Sequence, residues 1–386
     1  MATGFPTKAN WAAGDVLTAS ALDDLAGTVN LLSNASATTG SQLVSNAAGT
    51  SFAYQPTPSA SNPVLNSAFQ IWQRGTSISV SASVNNSYTA DRWALSTGVN
   101  QACTVSRQLT NDTTNLPSIQ YCSRVQRNAG QTGTAQISFD QSLETFNSIP
   151  FAGKTVTVSY YARVGATFSG TPTNQVPMQV ISGTGTDQNV GTASGIAVLA
   201  TSVATLTTTW QRVSTTAAVG STATQLFLRY AFTPTGTAGA TDYFEVTGVQ
   251  IDVGSVALPF RTAGTSYQQE LALCQRYLPA VLVGSGNRAF GYAVSTTSSY
   301  VNITFPVTAR TAPTGITPST MPNFTLLTSA GGTGTPTNMT FDSSGVNSAS
   351  LTLTSTAASP TIAANTSVQV ASITSSSYVL FTGCEL

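Results

Sequence analysis

The chain has no histidine. That removes the side chain most often used as general base, proton shuttle or metal ligand near neutral pH. A Ser-His-Asp or Cys-His nucleophile is excluded with it. Of acid/base chemistry only paired carboxylates remain, as in glycoside hydrolysis. Charge is also scarce. Asp, Glu, Lys and Arg make up 7% of 386 residues, with 14 of each sign and a net charge of +0, against roughly 25% in an average soluble domain. No basic stripe is present, so a nucleic-acid partner, which needs clustered Lys and Arg, is not expected. The four cysteines, Cys103, Cys122, Cys274 and Cys384, form no CxxC, which argues against a zinc site. Cys103 and Cys122 could face each other on neighbouring strands, but buried free thiols are the simpler reading for a chain folded in a reducing cytosol. No stretch reaches the ~20 apolar residues of a membrane span. The opening MATGFPTKANWAAGD has no signal-peptide core. Neither a cofactor nor a metal is expected, although a cation held by Asp and backbone carbonyls would suit a β-sandwich.

What fills the chain instead is Ser, Thr, Asn, Gln and Gly, with a mean hydropathy of +0.10. Thr and Val favour strands, and Gly, Asn and Ser favour turns. The expectation is a mainly β protein, much of its weakly charged surface covered by other subunits.

Five segments emerge. Residues 1–35 hold LTASALDDLAGTVNLLSNAS, in which Leu22, Leu25, Val29 and Leu32 are spaced three, four, three. That is an a/d seam about one and a half heptads long, too short for a stable lone helix, so it points to a helix packed against copies of itself. Residues 36–62 are low-complexity Ser, Ala, Thr and Gly and read as a linker or extended arm. Residues 63–263 alternate polar and apolar in segments such as ACTVSRQL, KTVTVSYYARV and DYFEVTGVQIDV, the texture of a two-sheet antiparallel sandwich. Residues 264–279, GTSYQQELALCQRYLP, read as a short helix: Thr265 or Ser266 as cap, Gln269 or Glu270 near the box position, Leu271, Cys274 and Leu278 on one face, and Pro279 after the end. Residues 280–386 return to strands and read as a smaller sandwich.

NPVLNSAFQIWQRGTS and YTADRW, with VTGVQIDVGSVALPFR and YQQELALCQRYL farther on, give the chain a family likeness. Together they resemble the central domain of bacteriophage tail-fibre and related virion proteins. GKTVTVSYYARV and TWQRVSTT fit the same module, WAAGDVLTASALDDLAGTVN is similar to the start of phage fibre proteins, and TARTAPTG and GCEL resemble their final domain. The resemblance implies a jelly-roll β-sandwich similar to carbohydrate-binding modules. It further implies a homotrimeric fibre on the exterior of a virion, joined to other virion proteins through its N-terminal segment and binding host-surface polysaccharide. Tail, collar and capsid-surface fibres all fit. A decoration protein that binds only virion neighbours is the alternative, and a polysaccharide depolymerase the more distant one.

Three sets of residues are candidates for chemistry. Trp72, Arg74, Asp91, Arg92 and Trp93 could line a sugar site. The blander reading makes Trp72 and Trp93 core and pairs Asp91 with an Arg at a structural corner, since a buried charge requires a partner. Asp140, Glu144, Asp242, Glu245 and Asp252 are the carboxylates a glycosidase would draw on; the competing reading is ion pairs to Arg92, Arg212, Arg229 or Arg261. In the last domain Tyr292, Tyr300, Phe305 and Phe324 alternate with polar residues, and Tyr292, Tyr300 and Phe324 are the candidate glycan-stacking side chains.

Overall fold

The structure, a computed structural model, describes residues 62–329, 331–356 and 363–386 in full, and 41–45 and 52–56 as backbone. The Leu22, Leu25, Val29 and Leu32 seam lies outside the described residues. Within the stretch read as linker, Ser41–Ser45 pairs antiparallel with Phe52–Pro56.

The first domain is a sandwich of two antiparallel sheets. One runs Ala197–Ser202, Met178–Gly183, Gln225–Pro234, Ile137–Ser142, Ala94–Ser96, Ser87–Tyr88, with Gly170–Thr171 beside Gln225–Pro234; the other runs Gln211–Ala218, Thr155–Val164, Tyr243–Val253, Tyr121–Arg127, Cys103–Leu109, Ser77–Val80. Sequence neighbours often lie apart in these orders, as in a jelly roll. Period-two alternation puts Val156, Val158 and Tyr160 on the inner face, while Thr157 and Ser159, of opposite parity, are buried as well. Aromatics span the core in a chain of contacts. The Trp93 ring lies 5.1 Å from both Phe69 and Phe139 and 6.1 Å from Tyr230, and Tyr230 meets Tyr160 edge-on at 5.1 Å. In a core otherwise made largely of aliphatic side chains, these rings are the bulkiest members.

The same period separates the cysteines. Cys103 lies opposite Arg127 and Gln108 opposite Cys122. Positions 103 and 108 differ in parity, so the two thiols point to opposite faces of their sheet. Cys103 joins the main core and Cys122 a satellite cluster with Leu116, Ile119 and Trp210. All four cysteines are free and buried.

The helix forms over Tyr267–Gln275, capped by Ser266, whose Oγ accepts from Gln269 N. Gln269 Oε1 in turn accepts from Thr265 N at 2.9 Å, a reciprocal capping arrangement. Glu270 turns inward and accepts from Asn66 N and Gly264 N, at 2.5 and 2.6 Å, which fastens the helix to the start of the sandwich. Among the described residues no helix is long and apolar enough to cross a membrane.

The second domain has a three-stranded sheet, Ala280–Val281, Val379–Thr382, Gly315–Pro318, and a seven-stranded sheet in the order Thr333–Gly334, Phe324–Thr328, Ser367–Ser372, Arg288–Ala293, Ser298–Thr304, Ser348–Ser355, Pro336–Ser344. Between them lie Phe305, Phe324, Leu326, Val301, Leu351, Val370 and Phe381. The molecule is mainly β, built from antiparallel sheets stacked as sandwiches. The last residues cross back to the first domain. Glu385 pairs with Arg74, and the Leu386 carbonyl accepts from the Tyr88 hydroxyl.

Candidate functional site

The opening corner is structural. Trp72 is 8% exposed and Trp93 fully enclosed, and Trp72 Nε1 donates to Phe69 O at 2.8 Å. The expected Asp91–Arg pair does not form. Asp91 accepts from Gln73 N at 2.9 Å and Gln73 Nε2 at 2.5 Å. Arg92 has φ +72° and turns away: its Nη2 donates to Ser142 O at 2.7 Å and its guanidinium lies 3.7 Å from the Tyr277 ring centre. Asp91 and Arg92 form a turn, and the left-handed backbone at Arg92 carries its side chain away from Asp91, so a nearby Gln amide and backbone N–H take the carboxylate instead. Burial pushes the Asp91 carboxyl above its ordinary range.

All five candidate carboxylates are held by guanidinium groups. Asp140 meets Arg229 at 2.9 Å and Asp252 meets Arg261 at 2.6 Å, both among the expected pairings. Asp242 meets Arg127 at 2.7 Å, Glu144 meets Arg276 at 2.7 Å, and Glu245 is clamped by Arg124 and Arg163 at 2.7 and 2.5 Å. Arg92 and Arg212 take no carboxylate; Arg212 donates to Leu258 O. Glu245 faces Arg124 and Arg163 across adjacent strands, a cross-strand relation invisible in a linear reading. Among the described residues no group of three His, Cys, Asp or Glu could hold a metal.

The exposed chemistry lies on the outer face of the seven-stranded sheet. The Arg288–Ala293 strand reads RAFGYA. Its small residues Ala289 and Ala293 point into the core, while Arg288, Phe290 and Tyr292 point out; Phe290 is 62% and Tyr292 51% exposed. An ordinary half-buried strand places its large apolar residues inward. Here the order is reversed. Gly291 permits it, because a Cβ there would lie 1.8 Å from Tyr300 O.

Cross-strand register builds the rest. Tyr292 lies opposite Tyr300 and Phe290 opposite Asn302 on one side, with Gln369 opposite Phe290 on the other. The tyrosine rings meet edge-on, centres 5.8 Å apart at 66°. Arg288 Nη1 donates to Gln369 Oε1 at 2.7 Å. Two shallow hollows flank Phe290. One, of about 430 Å³, is lined by Tyr292, Tyr300, Asn302, Asp342 and Ser350, and the other, of about 450 Å³, by Asn287, Arg288, Asn302 and Thr304. The result is an aromatic ridge bordered by amide, hydroxyl, guanidinium and carboxylate groups.

Of the three predicted glycan contacts, the structure brings Tyr292 and Tyr300 together. It removes Phe324, which is 1% exposed and faces the core beside Leu326. Phe324 opens its strand with the inward parity, a register that its own sequence does not reveal. Phe305 is buried as well, 4.8 Å from Phe381. Phe290, Arg288 and Asn302 were missed, although the alternation of Ala and Gly with Arg, Phe and Tyr in RAFGYA carried the signal.

No family model matches the chain, and no curated protein matches it. Among solved structures it is similar to the CBM22-1–GH10 modules of a Clostridium thermocellum endo-1,4-β-D-xylanase complexed with xylohexaose, at 14% identity, 48% of this chain, 30% of that chain and TM-score 0.28. It is also similar to the enzymatically active domain of tailspike protein 4 of bacteriophage CBA120, at 13% identity, 45% of this chain, 21% of that chain and TM-score 0.30. A xylan-binding domain from Paenibacillus barcinonensis aligns at 13% identity, 47% of this chain, 95% of that chain and TM-score 0.28. The chain thus spans less than a third of the first two proteins.

Proposed function

We propose that the protein is a structural bacteriophage virion fibre, a homotrimer that uses the outer face of its last domain to bind host-surface polysaccharide. The observation that carries the binding assignment is the reversed Arg288–Ala293 strand, which exposes Phe290 and Tyr292 where Ala and Gly would suffice. Aromatic faces present a large rigid apolar surface to the C–H faces of pyranose rings, and the bordering Arg288, Asn302, Asp342 and Gln369 are suited to hydroxyls. A weak site of this kind gains avidity when three copies act together. The virion assignment rests on the sequence motifs and on the surface depleted of charge.

Catalysis is not part of the proposal: each of the five candidate carboxylates is committed to at least one guanidinium, and the buried Asp91 and Glu270 are taken up by amide and backbone donors. Titration of the full chain against a panel of bacterial surface polysaccharides tests the reading. Phe290→Ala and Tyr292→Ala should each weaken binding about tenfold or more without loss of folding. Silence of the wild-type protein across the panel would favour a decoration protein, and a monomer by sedimentation at micromolar concentration would remove the trimer.

A further inference from the structure

A second cavity, remote from the aromatic ridge, lies where the two domains and the helix meet. It encloses about 480 Å³ and draws on Gln70, Trp72, Gln73 and Arg107 from the first domain, Tyr267 and Gln275 from the helix, and Ser375–Tyr378 from the second. Tyr267 is 54% exposed at its mouth, and the enclosed Trp72 forms part of its wall. The remaining lining mixes apolar side chains, Ile71, Leu271, Ala280 and Val283, with amides and hydroxyls. Concave sites with an aromatic wall and a few convergent polar groups are the usual form of small-ligand sites.

The charge in it is unbalanced. Arg107 is the only charged residue of the lining. Eight other arginines of the described residues pair with carboxylates, whereas Arg107 pairs with none there. Its guanidinium stands 4.6 Å from the Tyr121 ring centre and donates weakly from Nη1 to Gln70 O at 3.3 Å. That leaves most of a five-donor fork without a protein acceptor. A half-buried guanidinium held against a ring and free of acid is suited to a carboxylate brought by a ligand, which it can take in bidentate fashion.

We propose that this interdomain cavity binds a carboxylate-bearing sugar, its acid group on Arg107, one ring face against Tyr267, and its hydroxyls on Gln70, Gln275 and Ser375–Ser377. The site is distinct from the ridge around Phe290: the hollows beside Phe290 and this cavity share no lining residue. It would sense acidic residues in a polysaccharide whose neutral parts engage the ridge. Since the cavity is walled by both domains, occupancy would also hold them in the observed arrangement.

The probe is hexagalacturonate, with its fully methyl-esterified form as the neutral control, titrated into the full-length protein by calorimetry. Hexagalacturonate should bind at least tenfold more tightly than the ester, and its affinity should fall as salt rises, as for an exposed charge pair. Arg107→Gln should abolish that preference, and Tyr267→Ala, on an exposed helix position, should weaken both ligands. Tyr292→Ala, in the ridge, should leave the preference intact, so a failure of the ridge reading and a failure of this one are told apart. Equal binding of acid and ester by the wild-type protein, no binding of the acid at millimolar concentration, or an unchanged preference in a folded Arg107→Gln variant would each overturn the proposal.

Discussion

Gly291 decides whether the aromatic ridge exists. Its position has no room for a methyl group, since the added Cβ would meet the Tyr300 backbone at 1.8 Å, and backbone cannot swing aside as a side chain can. Gly291→Ala should therefore cost roughly 2–4 kcal/mol, the range of core overpacking with strand distortion, measured as a fall in the last domain's denaturant midpoint. Phe290→Ala, on the solvent side of the same strand, should stay within about 0.5 kcal/mol. A neutral Gly291→Ala, or a severe Phe290→Ala, would mean that the strand is not oriented as described. Asp91 gives the contrasting case. Asp91→Ala removes the acceptor of Gln73 N and Nε2 and should cost about 1–3 kcal/mol, the penalty for orphaned buried donors. At this scale the sequence was readable where parity or composition spoke. The Trp pair was expected in the core and lies there, whereas which of Tyr292, Tyr300 and Phe324 faces outward was not readable. It misled where the partner lay elsewhere in the chain. Phe324 looks no different from Tyr300 until its strand register is known, and nothing around Asp91 and Arg92 says that one turns to Gln73 and the other to Tyr277.

Elements were more legible than their joints. The helix over Tyr267–Gln275 follows from local signals, a Ser cap, a Gln at the box position and a proline beyond the end, and it forms where those signals place it. The strands follow from alternation. The joint between domains depends on pairs such as Arg74 with Glu385 and Tyr88 with Leu386, about 300 positions apart, and no short-range pattern encodes them. The Arg74–Glu385 pair is also informative about energy. The carboxyl is pushed above its ordinary range by burial, which outweighs the attraction of Arg74 and Arg92. Arg74 Nη1 and Glu385 Oε1 have no partner. A one-armed buried pair that loses its solvation gains little from its charges, yet leaving one partner alone is worse. Glu385→Ala and Arg74→Ala should each lower stability by about 3 kcal/mol, whereas the joint replacement Arg74→Met with Glu385→Leu should be within about 1 kcal/mol of wild type or above it. A joint replacement that stays about 3 kcal/mol or more below wild type in thermal unfolding would show that the pair is a net source of stability.

For the whole molecule, the absence of histidine fixes how stability responds to pH. No side chain with an ordinary value between pH 5 and 8 is present, and burial raises Cys103 to about 12 and Tyr160 and Tyr277 likewise to about 12, beyond that range. What remains are buried carboxyls. Asp91, Asp140, Glu270 and Glu385 are all raised, in each case chiefly by burial, from ordinary values of 3.8 for Asp and 4.5 for Glu. A carboxyl raised in the folded state holds its proton more tightly there than in the unfolded chain. Its contribution is therefore fully present below the ordinary value and is lost as pH rises through the folded-state value. The opposite sign comes from Asp112, lowered by hydrogen bonds from the Asn115 side chain and backbone, but that group is exposed and solvent screens it. The four raised groups thus act together. The melting temperature should climb as the solution is acidified from neutral toward the ordinary carboxylate range. In the Glu385→Gln variant, where one of the four cannot titrate, the climb should be smaller. A melting temperature that falls steadily over the same acidification would show that the desolvated carboxyls do not govern the acid limb.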